Sequence, residues 1–269
     1  MTTQNAAKLA RAATRSTPLQ ALARLGFAVN GLLHILVAVI ALSVAVGGGG
    51  GTADQSGALG QLAANPGGVF MLWAVVVGLF ALGLWLTLSA FLIRGGDPKR
   101  RWARRATNLG KAAVYFILGG TAATFAVGGA TSSGGSAQDA SATLLAAPGG
   151  VVVLVAGGLA VLAIAGYFVR KGAMRKFMSD IAVPTGPAGP AVVMIGVAGY
   201  IAKGIALAVV AVLMLVTAFA RDPSKSTGLD GALKSLAALP YGGLILGTVG
   251  VGLIAYGVYC LARAWRARF

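Results

Sequence analysis

Lys203, His34 and Asn30 are the side chains best placed to do chemistry in this sequence, because each interrupts a run of otherwise apolar residues. A charged group within such a run is costly and marks a functional site by default. Lys203 could hold an anionic ligand or lipid headgroup, or titrate in a proton relay. Lys111 stands at the corresponding place in another run and shares that reading. His34 follows Asn30 by one helical turn and could ligate a haem or carry protons. It is the single histidine of the chain, so a neutral imidazole hydrogen-bonding between helices is the plainer expectation. Asp54, Asp139 and Asp230 lie between apolar runs. Three equivalent carboxylates could select cations, but these stand 12, 9 and 10 residues before the prolines that align them. They are therefore not equivalent, and Asp139 and Asp230 read as caps of short helices.

Other chemistries find no residues to carry them. Cys260 is the only cysteine and has no internal disulfide partner, and no phosphate loop, nucleophile elbow or metal-ligand spacing occurs. No enzyme activity, cofactor or metal is expected. Nucleic-acid binding would need a folded basic module, and Arg100-Arg101-Trp102-Ala103-Arg104-Arg105 is too short and too close to an apolar run.

The elements that position these side chains are helices in lipid. Of 269 residues, 57% are hydrophobic and 10% charged, and the mean hydropathy is +0.84. A soluble domain carries about 25% charged residues. A helix needs about 20 apolar residues to cross a bilayer, and six runs qualify: 25–46, 69–93, 112–130, 151–169, 195–220 and 244–262. None shows the alternation that a membrane barrel requires. The first run exceeds the roughly 7–15 apolar residues of a cleaved signal, and reads as a transmembrane helix.

Charge orients the runs, since cytoplasmic loops are rich in Lys and Arg. On one side fall 18 of the 22 basic residues: before the first run, from Arg94 to Lys111, from Arg170 to Lys176, and in the tail. Both termini are expected in the cytoplasm. Lys203 precedes the end of its run at 220 by 17 residues, which places it near the cytoplasmic interface, its ammonium snorkelling outward. Trp102 and Trp265 read as interfacial anchors, and the glycines at 47–51 as a flexible connector.

The runs come in pairs that repeat. The loops on the less basic side end in leucine-bearing stretches that lead to Pro66-Gly67, Pro148-Gly149 and Pro240-Tyr241-Gly242. Upstream stand Asn30-Gly31, Lys111-Ala112 and Lys203-Gly204; downstream stand Gly83 with Trp85, Gly166 with Phe168, and Gly257 with Tyr259. Leu59 with Leu62, and Leu233 with Leu236, share a helical face that could lie on the membrane surface, and each proline could start the following span. Gly243-x-x-x-Gly247 and Ala74-x-x-x-Gly78 fit the spacing of close helix packing, so leucine at Gly243 or Gly247 is expected to disturb the bundle.

Gly26-Phe27-Ala28-Val29-Asn30-Gly31, its echo Gly199-Tyr200-Ile201-Ala202-Lys203-Gly204, and the proline-glycine loop ends resemble DUF1206, a bacterial membrane family with three copies of a two-helix unit. The middle copy departs most, with Thr107-Asn108-Leu109-Gly110-Lys111-Ala112 lacking the aromatic. The resemblance implies a bacterial inner membrane and carries over no activity, cofactor or catalytic residue.

The expected architecture is thus an all-α membrane protein, with six transmembrane helices as three parallel two-helix repeats in a pseudo-threefold arrangement. A cytoplasmic arm at 1–20 precedes repeats at 21–94, 95–176 and 177–269. The expected role is a non-enzymatic membrane scaffold or accessory protein of the plasma membrane. Its partners are the lipid bilayer, anionic headgroups at the cytoplasmic face and an unidentified membrane protein, with Lys203, Lys111, Asn30 and His34 as candidate ligand or lipid contacts. The alternative is a small-solute or ion transporter with its path along the pseudo-threefold axis. The proline-acidic-basic signature of mitochondrial carriers, which also have three two-helix repeats, is missing.

Overall fold

The computed structural model describes residues 17–48, 51–93, 97–184 and 186–267. Most of the basic arm at 1–20, the middle of the glycine connector, Arg94 and Arg268 lie outside these residues. Among the described residues the protein is helical, apart from one antiparallel bridge between Ile181 and Ala267. Six long helices are α1 (Thr17–Ala45), α3 (Gly68–Leu92), α4 (Pro98–Ala126), α6 (Gly150–Ala173), α7 (Ala188–Ala220) and α9 (Gly242–Arg266). All six are long and apolar enough to cross a membrane. Three short ones, α2 (Gln55–Ala63), α5 (Ser133–Ala146) and α8 (Gly228–Ala237), each join the two long helices of a copy.

Three long helices start well before the apolar runs, α1 among them at Thr17, eight residues before 25. The basic segment before the third run is helical from Pro98, where Asp97 accepts the Lys99 N–H and proline occupies the first turn. Lysine and arginine are good helix formers, so charge does not break the helix there. α7 likewise starts at Ala188, seven residues before its apolar run, and reaches 33 residues.

The short helices correct several expectations. Their leucines do not lie against a membrane surface. Leu59, Leu62, Leu233 and Leu236 are buried in one core with Leu33, Val37, Leu72, Leu79, Leu246 and Leu253. The proline does not start the next helix. It stops the short one, and the following residue (Gly67, Gly149 or Tyr241) turns left-handed at φ 77°, 77° or 59°. The glycine that opens the long helix then lies against the carbonyl of Leu62, Leu144 or Ala237, where a Cβ would overlap it.

Of Asp54, Asp139 and Asp230, only Asp54 is a cap, accepting from the Gly57 N–H at 2.9 Å. Asp139 lies inside α5, whose cap is Ser132. Asp230 sits in the first turn of α8 and reaches across copies to accept the Ala53 N–H at 2.7 Å, while bridging Lys234 at 2.8 Å. With the Ser133 N–H donating to Ser56 Oγ, hydrogen bonds link all three copies at this end.

The most extensive helix contacts join different copies: α3 with α4, α6 with α7, and α9 with α1. Within copies, α1 packs on α3 and α7 on α9, but no extensive contact joins α4 to α6. Close approach depends on glycine. A Cβ on Gly31 would stand 2.7 Å from the Gly257 carbonyl, and a Cβ on Gly257 equally close to the Gly31 carbonyl. Gly243 faces the Ala45 carbonyl at 2.9 Å, whereas Gly247 faces open space and has no packing role. At the ends of α9, Tyr241 and Trp265 project outward, 82% and 81% exposed.

Two outcomes follow for stability. In detergent, Gly31→Leu or Gly257→Leu lowers the melting temperature, overpacking costing about 1–3 kcal/mol, while Gly247→Leu leaves it unchanged. Asp54→Ala costs about 1 kcal/mol through the lost cap, and Asp139→Ala has no effect in the same thermal melts.

Candidate functional site

The polar residues of the spans converge at the end of the bundle opposite the short helices. Asn30, Lys111 and Lys203 stand 15, 15 and 17 residues from the short-helix ends of α1, α4 and α7. At about 1.5 Å per residue this is a common depth of roughly 22–26 Å. Beyond them, toward the short helices, lies an apolar core of Leu, Val, Ile, Ala and Phe.

The geometry gives each candidate a partner. The buried Asn30 donates from Nδ2 to Cys260 Sγ at 3.5 Å. His34 Nδ1 lies 2.8 Å from the Asn30 carbonyl, which can only accept, so this nitrogen carries the proton. That hydrogen bond is intrahelical, which corrects the interhelical expectation; between helices the imidazole instead packs on Tyr256, with centroids 4.8 Å apart. Lys203 Nζ donates to Tyr256 Oη at 3.2 Å and lies 4.2 Å from the Tyr256 ring centroid and 5.1 Å from that of Phe168. The ammonium is thus held inside by cation–π contacts rather than extended outward. Lys111 is exposed on α4, within electrostatic reach of Lys203, Lys171, Arg263 and Asp180.

A second tier lies beside these residues. Phe177, Tyr200, Tyr256 and Tyr259 form an aromatic cluster with centroids 5.2–6.5 Å apart. Lys171 lies 5.3 Å from the Tyr200 centroid and 2.6 Å from Asp180 Oδ2. Arg263 stacks over Phe27 at 4.4 Å and stands 3.9 Å from the same carboxylate. Asp180 therefore serves two cations, while Lys111 and Lys203 have no ion pair among the described residues.

Asn30, His34 and Lys203 come together around Tyr256 and Cys260; Lys111, on α4, shares none of these contacts but lies within electrostatic reach of Lys203. Sequence reading missed Tyr256, Lys171, Asp180 and Arg263 as parts of the site. The spacing of Tyr256 and Cys260, four apart on one face of α9, was an available signal. The pairing of Lys171 with Asp180 depends on the turn after α6 and had none.

The family profile described as Domain of Unknown Function (DUF1206) matches three times, over residues 25–92, 106–175 and 198–267. The Bacillus subtilis (strain 168) protein named "Uncharacterized protein YxxB" is 34% identical over 247 residues, covering 89% of this chain and 88% of the relative. No solved structure matches. With three tandem matches spanning most of its length, the chain belongs to the DUF1206 family.

Proposed function

We propose that this protein is a non-enzymatic scaffold or accessory protein of the bacterial inner (plasma) membrane, whose basic end faces the cytoplasm and contacts anionic lipid headgroups. Its three copies stand in a pseudo-threefold arrangement about the membrane normal, with both termini cytoplasmic. One observation carries this reading: charge is segregated along the bundle. The loops and helix ends opposite the short helices hold the basic clusters of α4, α6 and α9, and the other end is closed by the leucines of α2 and α8. Basic residues near an anionic surface contribute about 1 kcal/mol each, so a face this basic binds such a surface without any dedicated pocket.

A second reading, transport along the axis, draws on the polar set of Asn30, His34 and Lys203 toward the basic end of the bundle. The packed leucine layer beyond it opposes a continuous path, so transport would require α2 and α8 to move.

In cells, a green fluorescent protein fused after residue 269 fluoresces, and alkaline phosphatase fused there is inactive; the opposite pattern overturns the orientation. Proteoliposomes under an imposed potential carry no proton, sodium or potassium flux above protein-free vesicles, and a flux would establish the second reading.

A further inference from the structure

The middle copy lacks the clasp that closes the other two. In copy one, Gly26 lies so close to α3 that a Cβ would meet the Gly78 carbonyl at 2.5 Å, and Phe27 meets Trp85 edge-on at 6.5 Å. In copy three, a Cβ on Gly199 would meet the Tyr256 backbone at 2.5 Å, Gly252 faces Ala202, and Tyr200 meets Tyr259 at 5.4 Å. The aligned residues of copy two are Thr107, Asn108 and Val161, which replace both glycines and the aromatic. α4 and α6 accordingly stay apart, and Gly110, which aligns with Val29 and Ala202 on the clasp face, has open space before it. Phe168, aligned with Trp85 and Tyr259, has lost its clasp partner; it stacks on Tyr200 at 5.9 Å and underlies Lys203.

The cleft so formed has a cationic floor. Lys111 stands on the α4 wall, Lys171 near the end of the α6 wall, and Lys203 with Arg263 behind them, against the single carboxylate of Asp180. His34 and Lys203 are both partly exposed, and Lys203 lies against Phe168 of the α6 wall.

From these features we infer that the α4–α6 cleft binds one membrane phospholipid with an anionic headgroup, its phosphate between Lys111 and Lys203 and an acyl chain along the gap. The charge excess selects an anion, and an opening sideways into the bilayer selects an amphiphile already there. The placement rests on the proposed orientation, which sets the cationic end at the inner leaflet.

The experiment is native mass spectrometry of the full chain released from nanodiscs of equal phosphatidylglycerol and phosphatidylcholine. The wild type retains one phosphatidylglycerol in preference to phosphatidylcholine. Lys111→Gln with Lys203→Gln lowers that retention about tenfold. So does the combination Thr107→Gly, Asn108→Phe and Val161→Gly, which restores the clasp and alters no charge. Gly110→Trp, which fills the cleft without displacing a neighbour, does the same and serves if the restored clasp fails to fold. Arg100→Gln with Arg101→Gln and Arg104→Gln keeps the lipid. If the arginine variant loses the lipid and the cleft variants keep it, the lipid sits on the basic surface: the cleft is overturned and the proposed function survives. If the wild type shows no preference for phosphatidylglycerol, both fall.

Discussion

Helices in lipid cannot rely on the hydrophobic effect to hold them together, since the surrounding chains are as apolar as their own side chains. What remains is close contact, and here it is made where one backbone presses against another across glycine. The mutual approach of Gly31 and Gly257 joins the first and last long helices without any covalent link between them. Gly26 on Gly78, and Gly199 on Tyr256, do the same within two of the copies. The layer of short helices depends on that arrangement: Asp230 can reach Ala53, and Ser56 can reach Ser133, because the long helices hold the three loops side by side.

The same contacts divide the molecule along its length. Where the small residues and leucines meet, the interior is mainly apolar, and its buried polar groups, Asp54, Ser56 and Thr217 among them, are hydrogen-bonded within the chain. Where the copies carry Asn30, Lys111 and Lys203, aromatic faces stand against the cations, and ring quadrupoles supplement the one carboxylate of Asp180 that Lys171 and Arg263 share. Such a site keeps its positive charge without neutralising it internally, which leaves electrostatic attraction available to something outside the chain.

Much of this was legible in the residues. The six apolar runs and the triplication could be read because length in lipid is set by bilayer thickness, and because the polar-small pairs and prolines recur at nearly constant spacing. The weakness of the middle copy was visible in Asn108 as well. Other features were not legible, for physical reasons. Leu59 and Leu233 have the pattern of a surface helix, and only the fold decides whether that face meets lipid or core. Asp139 and Asp230 resemble caps by position, yet a cap needs a particular backbone geometry, which Ser132 holds for α5, while α8 begins after Thr227 with no side-chain cap. Gly243 and Gly247 look alike in sequence, and only the neighbouring helix shows that one is pressed and the other free. In sequence Lys203 reads as reaching outward because Tyr256, which turns it inward, is 53 residues away.

Tyr241 has a consequence for depth. In the other two copies glycine takes the left-handed turn; here a tyrosine does so at φ 59°, although that conformation is unfavourable for any residue with a Cβ. Its exposed ring and that of Trp265 are 24 residues apart along α9, about 36 Å at 1.5 Å per residue, which is a little more than the hydrocarbon thickness of about 30 Å. Amphipathic rings favour the boundary between water and hydrocarbon, so the pair acts as a ruler that stops α9 from sliding like a piston. Tyr256 and Cys260 ride on that helix between the two rings, nine and five residues from Trp265, so the same pair sets their depth.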